Sequence, residues 1–368
     1  MKLTLIAGAR PNFVKIAPII HAIEEAKTEN KTLEYSLVHT GQHFDANMSS
    51  DFFEQLGIPE PNVNLGAGGG TQAEQTASIM IGFEKYVKEN PCDLVLVVGD
   101  VTSTLACSIV AKKAGIKVAH VEGGIRSNDC SMPEEINRKV TDSITDYFFT
   151  TSHFANENLE KEGISKDRIF FVGNVMIDSL LKNQTKFCEP VFWSAKKLEK
   201  TKYFVLTLHR PSNVDDLDRL KLILSAIDYS VQNPVIFPVH PRTRKQVEKL
   251  NQSFSNIKLV GPQPYLEFNY LVSNAKGVLT DSGGITEETT VLGIPCVTLR
   301  SNTERPETVV YGSNELVGND LEKLKTCIHQ IEHNNWKSSS IPELWDGQTA
   351  NRIVNKLIEL FPNTTLKV

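Results

Sequence analysis

The chain has 368 residues, 40% of them hydrophobic and 23% charged, which exceeds what one hydrophobic core usually supports and excludes global disorder. A formal net charge of −5 argues against a broad nucleic-acid-binding or membrane-binding surface, while leaving room for a local basic pocket. The six cysteines (Cys92, Cys107, Cys130, Cys188, Cys296 and Cys327) form no CxxC pair, and read as buried small hydrophobes in a reducing cytoplasm rather than as disulfides or a zinc site.

Short apolar runs alternate with amphipathic stretches throughout. LTLIAG (3–8) is strand-like, and its flank is too short for the apolar region and cleavage site of a signal peptide. PNFVKIAPIIHAIEEAK (11–27) then spaces apolar residues at helical intervals. Further strands are expected at 35–40, 93–100, 117–123, 147–152 and 168–174, with helices such as 102–115 and 133–146 between them. The rhythm restarts after residue 174, with strands at 203–209, 234–240, 257–260, 277–282, 294–299 and 314–318. The Lys-rich stretch 175–201 reads as the crossing between two domains, and TANRIVNKLIELF (349–361) reads as a last amphipathic helix. No run has the length of a transmembrane helix, so a soluble cytoplasmic protein is expected. Continuous apolar strands separated by helices indicate parallel sheets covered on both faces, hence an α/β chain of two doubly wound, Rossmann-like domains. Ligands of such sheets bind at the carboxyl ends of the strands, and with two domains the site is expected in the cleft between them.

The chemistry-bearing residues lie at those strand ends. The first turn, AGARPNFVK, lacks GxGxxG, so no nicotinamide cofactor is expected, and no metal either. Arg10 and Lys15 there suit a diphosphate at a helix N-terminus, the alternative being two solvated cations on the helix. Asp100 ends the strand DLVLVVGD, where it either serves chemistry or caps the next helix. Glu122 follows an apolar strand in HVEGGIR. Glu134 and Glu135 open a helix, where the dipole alone favours them. Acidic residues converging on one sheet edge are what proton abstraction and return require. His209 and Arg210 end the first strand of the second half, and His240 occupies the equivalent place one strand later, with Arg242 and Arg244 close by. In TDSGGITEE, Ser282, Gly283 and Gly284 form an anion-binding turn, while Glu287 and Glu288 lie within reach of ribose hydroxyls. Arg305, in TERPE, follows the next strand.

Taken in order, GARPNFVKIAPI, HTGQHFD, VVGDVTST, HVEGGIRS, MPEEINR, VGNVMID, LHRPSN, PVHPRT, TDSGGITEE and TERPE resemble the non-hydrolysing UDP-N-acetylglucosamine 2-epimerase family. The resemblance spans nearly the whole chain. It implies the glycosyltransferase-B fold, with residues 1–174 plus the returning helix 349–368 as one domain and 175–348 as the UDP-binding domain. It assigns Asp100, Glu122, Glu134 and His209 to catalysis, and Arg10, Lys15, Ser282, Gly283, Gly284, Glu288 and Arg305 to the substrate. Gln42, His43, Arg210 and His240 are additional candidates. The implied partner is a UDP-linked 2-acetamido sugar, and the implied assembly is a homodimer. The implied reaction eliminates UDP to give 2-acetamidoglucal and adds it back with carbon 2 inverted. Alternatives are a 2-epimerase of a modified sugar such as a UDP-2,3-diacetamido uronic acid, a hydrolysing epimerase, a glycosyltransferase, and a non-catalytic nucleotide-sugar sensor. Asn12, Pro211 and Asp45 depart from common family patterns, and Asp45 argues against activation by a second substrate molecule.

Overall fold

The structure, a computed structural model, describes residues 1–28, 33–42 and 50–362. The chain divides into two compact units, Met1–Ser179 with Glu343–Val368, and Leu180–Pro342.

Among the described residues, the first unit holds a seven-stranded sheet. Its strands are β1 (Lys2–Ala7), β2 (Glu34–His39), β3 (Val63–Asn64), β4 (Leu94–Val98), β5 (Lys117–Val121), β6 (Tyr147–Thr150) and β7 (Ile169–Phe171). Their spatial order is β3-β2-β1-β4-β5-β6-β7, and the pairings are parallel. The order reverses between β1 and β4, which sets the topological switch point there. Strand β4, LVLVV, is buried at every position. Val95 and Val97 pack with Phe83, Cys107 and Val110 from helices Gln72–Glu89 and Thr102–Lys113. Alternation turns Leu94, Leu96 and Val98 to the opposite face. The helix Gln72–Glu89 starts in a complete capping box, Thr71 with Glu74.

The second unit repeats the plan with β8 (Phe204–Thr207), β9 (Val235–Pro238), β10 (Ile257–Val260), β11 (Gly277–Thr280), β12 (Cys296–Thr298) and β13 (Asn314–Leu316). Among the described residues these form a six-stranded sheet in the order β10-β9-β8-β11-β12-β13, again parallel, with its switch point between β8 and β11. Phe204 and Leu206 belong to one apolar layer, Tyr203 and Val205 to another. Both faces of this sheet are therefore covered, which is why its strands read as unbroken apolar runs.

The expected strands are present, but most end up to three residues earlier than the sequence suggests. Strand β3 was not expected, since it has two residues and a single apolar side chain. The expected crossing 175–201 starts as a helix, Val175–Asn183. The helix Thr349–Leu360 belongs to the first unit. Asp178 receives the Thr349 and Ala350 amides at 3.2 and 2.7 Å, and Trp345 Nε1 donates to Thr151 O at 2.9 Å. Cys107, Cys296 and Cys327 are buried, whereas Cys130 and Cys188 are exposed. That corrects the reading of all six as buried: these two lie outside any apolar run. No described helix is long and apolar enough to cross a membrane.

Candidate active site

The first unit gathers its polar groups at the carboxyl ends of β1, β4 and β5. In the turn after β1, buried Asn12 accepts from the Ala9 and Gly8 amides at 2.9 and 3.3 Å. Its Nδ2 donates to Val98 O at 2.9 Å, tying this turn to the end of β4. Arg10 opens the following helix, half-buried. One turn further on, Lys15 Nζ lies 2.7 Å from Glu122 Oε2. Within this unit, the ammonium that the resemblance assigns to the substrate is held beside a carboxylate.

Glu122 follows β5 in the left-handed region, with φ +71°. For a residue with a long side chain this costs about 1–2 kcal/mol. Its side chain is 3% exposed. A Cβ placed on Gly99, itself at φ +71°, would lie 3.3 Å from Lys15 Nζ and 3.7 Å from Glu122 Oε2. Lys15 and Glu122 therefore meet against the residue that precedes Asp100.

Asp100 does not cap the next helix, whose N-cap is Val101 without a side-chain bond. Its carboxylate is bound by Arg138 Nη1, and its backbone carbonyl accepts from Asn137 Nδ2 at 2.8 Å. Arg138 also donates through Nε to Glu135 at 2.9 Å. Glu135 is fully buried and accepts from Ser127 N, Ser127 Oγ and Asn128 N, each at 3.0 Å. Burial opposes its charge, but the Ser127 amide and the Arg138 guanidinium outweigh burial and hold the carboxyl below its usual range. Glu134 is half-buried in the first turn of the helix Pro133–Ile144. It stands three and four residues before Asn137 and Arg138, on the helix face that touches Asp100. Gln42 Oε1 accepts from Ser103 N at 3.1 Å and Ser103 Oγ at 2.8 Å. His43 and Asp45 lie outside the described residues.

In the second unit the groups collect at the β8–β11 switch point. Asp281 is fully buried and accepts from the His209 and Arg210 amides and from Asn213 Nδ2, at 3.0–3.1 Å. The His209 ring places Nδ1 2.8 Å from Asp281 Oδ1 and is 56% exposed. Burial raises the Asp281 pKa, but the bonds from His209, Arg210 and Asn213 outweigh it and leave the carboxyl below its usual range. Asp281 is therefore an ionised acceptor that orients an exposed imidazole, as second-layer carboxylates do for working histidines. Ser282 is the N-cap of the helix Gly283–Leu292, with no side-chain cap bond. Space beside Gly284 is open, whereas a Cβ on Gly283 would meet Glu304 Oε1 at 2.5 Å. Amides at such a glycine turn suit an anion.

Glu287 pairs with Arg305 Nε at 2.5 Å, and both are nearly buried. Arg305 thus faces a carboxylate of its own unit. Glu288 is buried beside Tyr265 and Asn269; burial first, and the Glu287 charge second, push it up to about 8. The ring Nδ1 of exposed His240 accepts from Arg242 N at 3.3 Å and caps its own helix. Arg242 is in turn paired with Asp215 at 2.8 Å.

Several residues of these clusters escaped the sequence reading. Arg138 carried a signal, the i,i+3 acid–base spacing with Glu135 on an expected helix. Ser103, in the first turn of its helix, and Asp281, directly after β11, had none beyond those places, and Asn12 stood out only as a departure from the family pattern.

Two doubly wound parallel units in one chain, each with its polar cluster at a switch point, define an α/β protein of the glycosyltransferase-B class. The family model described as UDP-N-acetylglucosamine 2-epimerase matches residues 25–358. The UDP-N-acetylglucosamine 2-epimerase of Methanocaldococcus jannaschii is 42% identical over 97% of this chain and 99% of its own. A crystal structure of the M. jannaschii enzyme in complex with UDP-GlcNAc and UDP superposes with a TM-score of 0.86, covering 98% of this chain and 100% of that one. The UDP-2,3-diacetamido-2,3-dideoxy-D-glucuronate 2-epimerase of Pseudomonas aeruginosa is 41% identical over 86% of this chain and 88% of its own. The chain belongs to the UDP-N-acetylglucosamine 2-epimerase family.

Proposed function

We propose that this protein interconverts UDP-GlcNAc and UDP-ManNAc by eliminating UDP to 2-acetamidoglucal and adding it back with carbon 2 inverted. Carbon 2 has no neighbouring carbonyl, so its proton is too weakly acidic for a carboxylate to remove directly. Breaking the bond between carbon 1 and the diphosphate oxygen makes carbon 1 cationic, and the carbon 2 proton becomes removable. The C–H electron pair forms the double bond, the C–O pair leaves with UDP, and a carboxylate takes the proton. The return delivers a proton to the opposite face while UDP rebinds carbon 1.

The observation that carries this reading is the edge formed by Asp100, Glu122 and Glu134. Glu122 is held there in a strained left-handed conformation against Lys15, beside the residue that precedes Asp100. Such strain at a strand end is a mark of function rather than of packing. This carboxylate set takes the proton on one face of carbon 2 and returns it on the other. His209, oriented by Asp281, and Arg10 neutralise the departing diphosphate. The Ser282–Gly283–Gly284 turn holds phosphate, and Glu288, with Arg305 behind Glu287, completes the UDP site. The reading includes a cytoplasmic homodimer and no resident cofactor.

Proton NMR of UDP-GlcNAc with the protein in deuterated water tests the reaction. Deuterium at carbon 2 of a manno product is the expected result. Free sugar would mean hydrolysis instead, and an unchanged spectrum would refute this substrate. A second reading, a UDP-2,3-diacetamido uronic acid as substrate, is favoured by the 41% identity to the Pseudomonas enzyme. Running that sugar in parallel decides between the two by their kcat/KM values.

A further inference from the structure

One buried polar cluster is not used by the chemistry above. His120, on β5, is fully buried, with Nδ1 2.6 Å from Asp142 Oδ1 and Nε2 2.8 Å from the carbonyl oxygen of Gly99. The second Asp142 oxygen accepts from Arg126 Nη1 at 2.7 Å and from the Gly124 amide at 3.0 Å. Arg126 is itself paired with Glu162, at 2.6 Å. An imidazole, a guanidinium and two carboxylates thus share one cluster, three of the four at most 2% exposed.

The hydrogen-bond chemistry fixes the direction of each contact. A backbone carbonyl only accepts, so Nε2 carries the hydrogen shared with Gly99. Burial opposes the Asp142 charge, but His120 and Arg126 outweigh it and hold the carboxyl below its usual range, so Asp142 accepts at Nδ1 as well. Both ring nitrogens are therefore committed to holding other groups.

The groups held are the two turns that carry catalytic carboxylates. The Gly99 carbonyl belongs to the peptide that leads into Asp100, and the Gly99 amide donates to Val121 O at 3.0 Å. Gly124 closes the turn that carries Glu122. We propose that the His120–Asp142 pair is a positioning clamp, in which His120 fixes the Gly99–Asp100 peptide and Asp142 fixes the Glu122–Gly124 turn. The clamp sets the spacing of the two carboxylates without touching substrate. It rests on the reading that Asp100 and Glu122 act at carbon 2.

Two variants separate its halves. In His120→Gln the amide nitrogen replaces Nε2 and keeps the Gly99 bond; in His120→Asn it replaces Nδ1 and leaves the Gly99 carbonyl unheld. Displacing a reacting group by about 1 Å costs on the order of 100-fold, so His120→Asn should lower kcat about 30- to 100-fold, with KM within about threefold. The isotope effect of substrate deuterated at carbon 2 should rise in the same variant, because proton removal becomes slower than UDP departure. His120→Gln should stay within about fivefold of the wild type, since it keeps the bond that orients the peptide. Equal losses in both variants that track the folded fraction by circular dichroism, or an unchanged isotope effect in His120→Asn, would overturn the clamp. Should the wild type turn over neither UDP sugar, the functional reading fails, and NMR of the protein labelled with nitrogen-15 histidine still decides the clamp. A His120 Nε2 bearing a slowly exchanging proton is expected; a bare Nε2 would overturn it.

Discussion

Replacing Glu288 by glutamine tests how the second unit is built around a buried acid. The Glu288 carboxyl is pushed from 4.5 up to about 8, first by burial and then by the Glu287 charge beside it. A group whose pKa is higher in the folded than in the unfolded chain binds its proton more tightly when folded. Its contribution is fully present below pH 4.5, and it is lost as pH rises through 8. At 1.36 kcal/mol per unit, the whole interval corresponds to roughly 5 kcal/mol. Glutamine has nearly the same volume and no titrating proton, so Glu288→Gln removes this slope and leaves the others. Urea unfolding of both proteins at pH 5, 7 and 8.5 measures the difference, in which all other titrations cancel. The wild type should lose several kcal/mol relative to the variant across that range, most of it below pH 8. Parallel curves would mean that Glu288 is ionised in the folded protein at every pH, and the burial argument would then be refuted.

Asp281→Ala leaves the His209 and Arg210 amides and the Asn213 amide without their acceptor, at about 1–3 kcal/mol for each buried donor. It also releases the His209 ring, so kcat should fall by more than KM rises; steady-state kinetics beside a urea titration separate the two effects. Lys15→Met removes the ammonium 2.7 Å from buried Glu122, and should destabilise the first unit by about 3 kcal/mol in a denaturant titration. A loss under half a kcal/mol would show that Glu122 finds its counter-charge elsewhere. Asp178→Ala takes the acceptor from the Thr349 and Ala350 amides, at about 1–2 kcal/mol. The helix Thr349–Leu360 should then be cut earlier in limited proteolysis, and an unchanged cleavage order would contradict the capping role.

The fold was legible because a doubly wound sheet writes itself locally. Each strand is a short apolar run such as LVLVV, each helix carries its own period, and both survive without knowledge of any neighbour. What failed is equally physical. Strand β3 has two residues and pairs only because β2 offers an edge, so its signal lies in β2 and not in PNVNLG. The strand ends were read too long for a related reason. Gly8, Asp100, Glu122 and His209 extend the apolar runs in sequence but leave the ladder in space, just past the carboxyl ends of their strands.

Positions of the candidate groups could be read from strand ends, but their electrostatic state could not. Lys15 and Glu122 are 107 residues apart, Arg138 and Asp100 38 apart, and His209 and Asp281 lie on different strands. A sequence counts charges, whereas the fold decides which are neutralised. Lys15 and Arg305, which the resemblance assigns to the substrate, each face a carboxylate of the same unit, as do Arg138 and Arg242, so these cations contribute less field than their number suggests. Neutral donors then matter more, and the amides of the Gly283–Gly284 turn have the preference for an anion that a helix N-terminus confers. On this balance a basic composition is not needed for an anion site, and in a chain of net charge −5 an oriented imidazole and a glycine turn are groups that suit one.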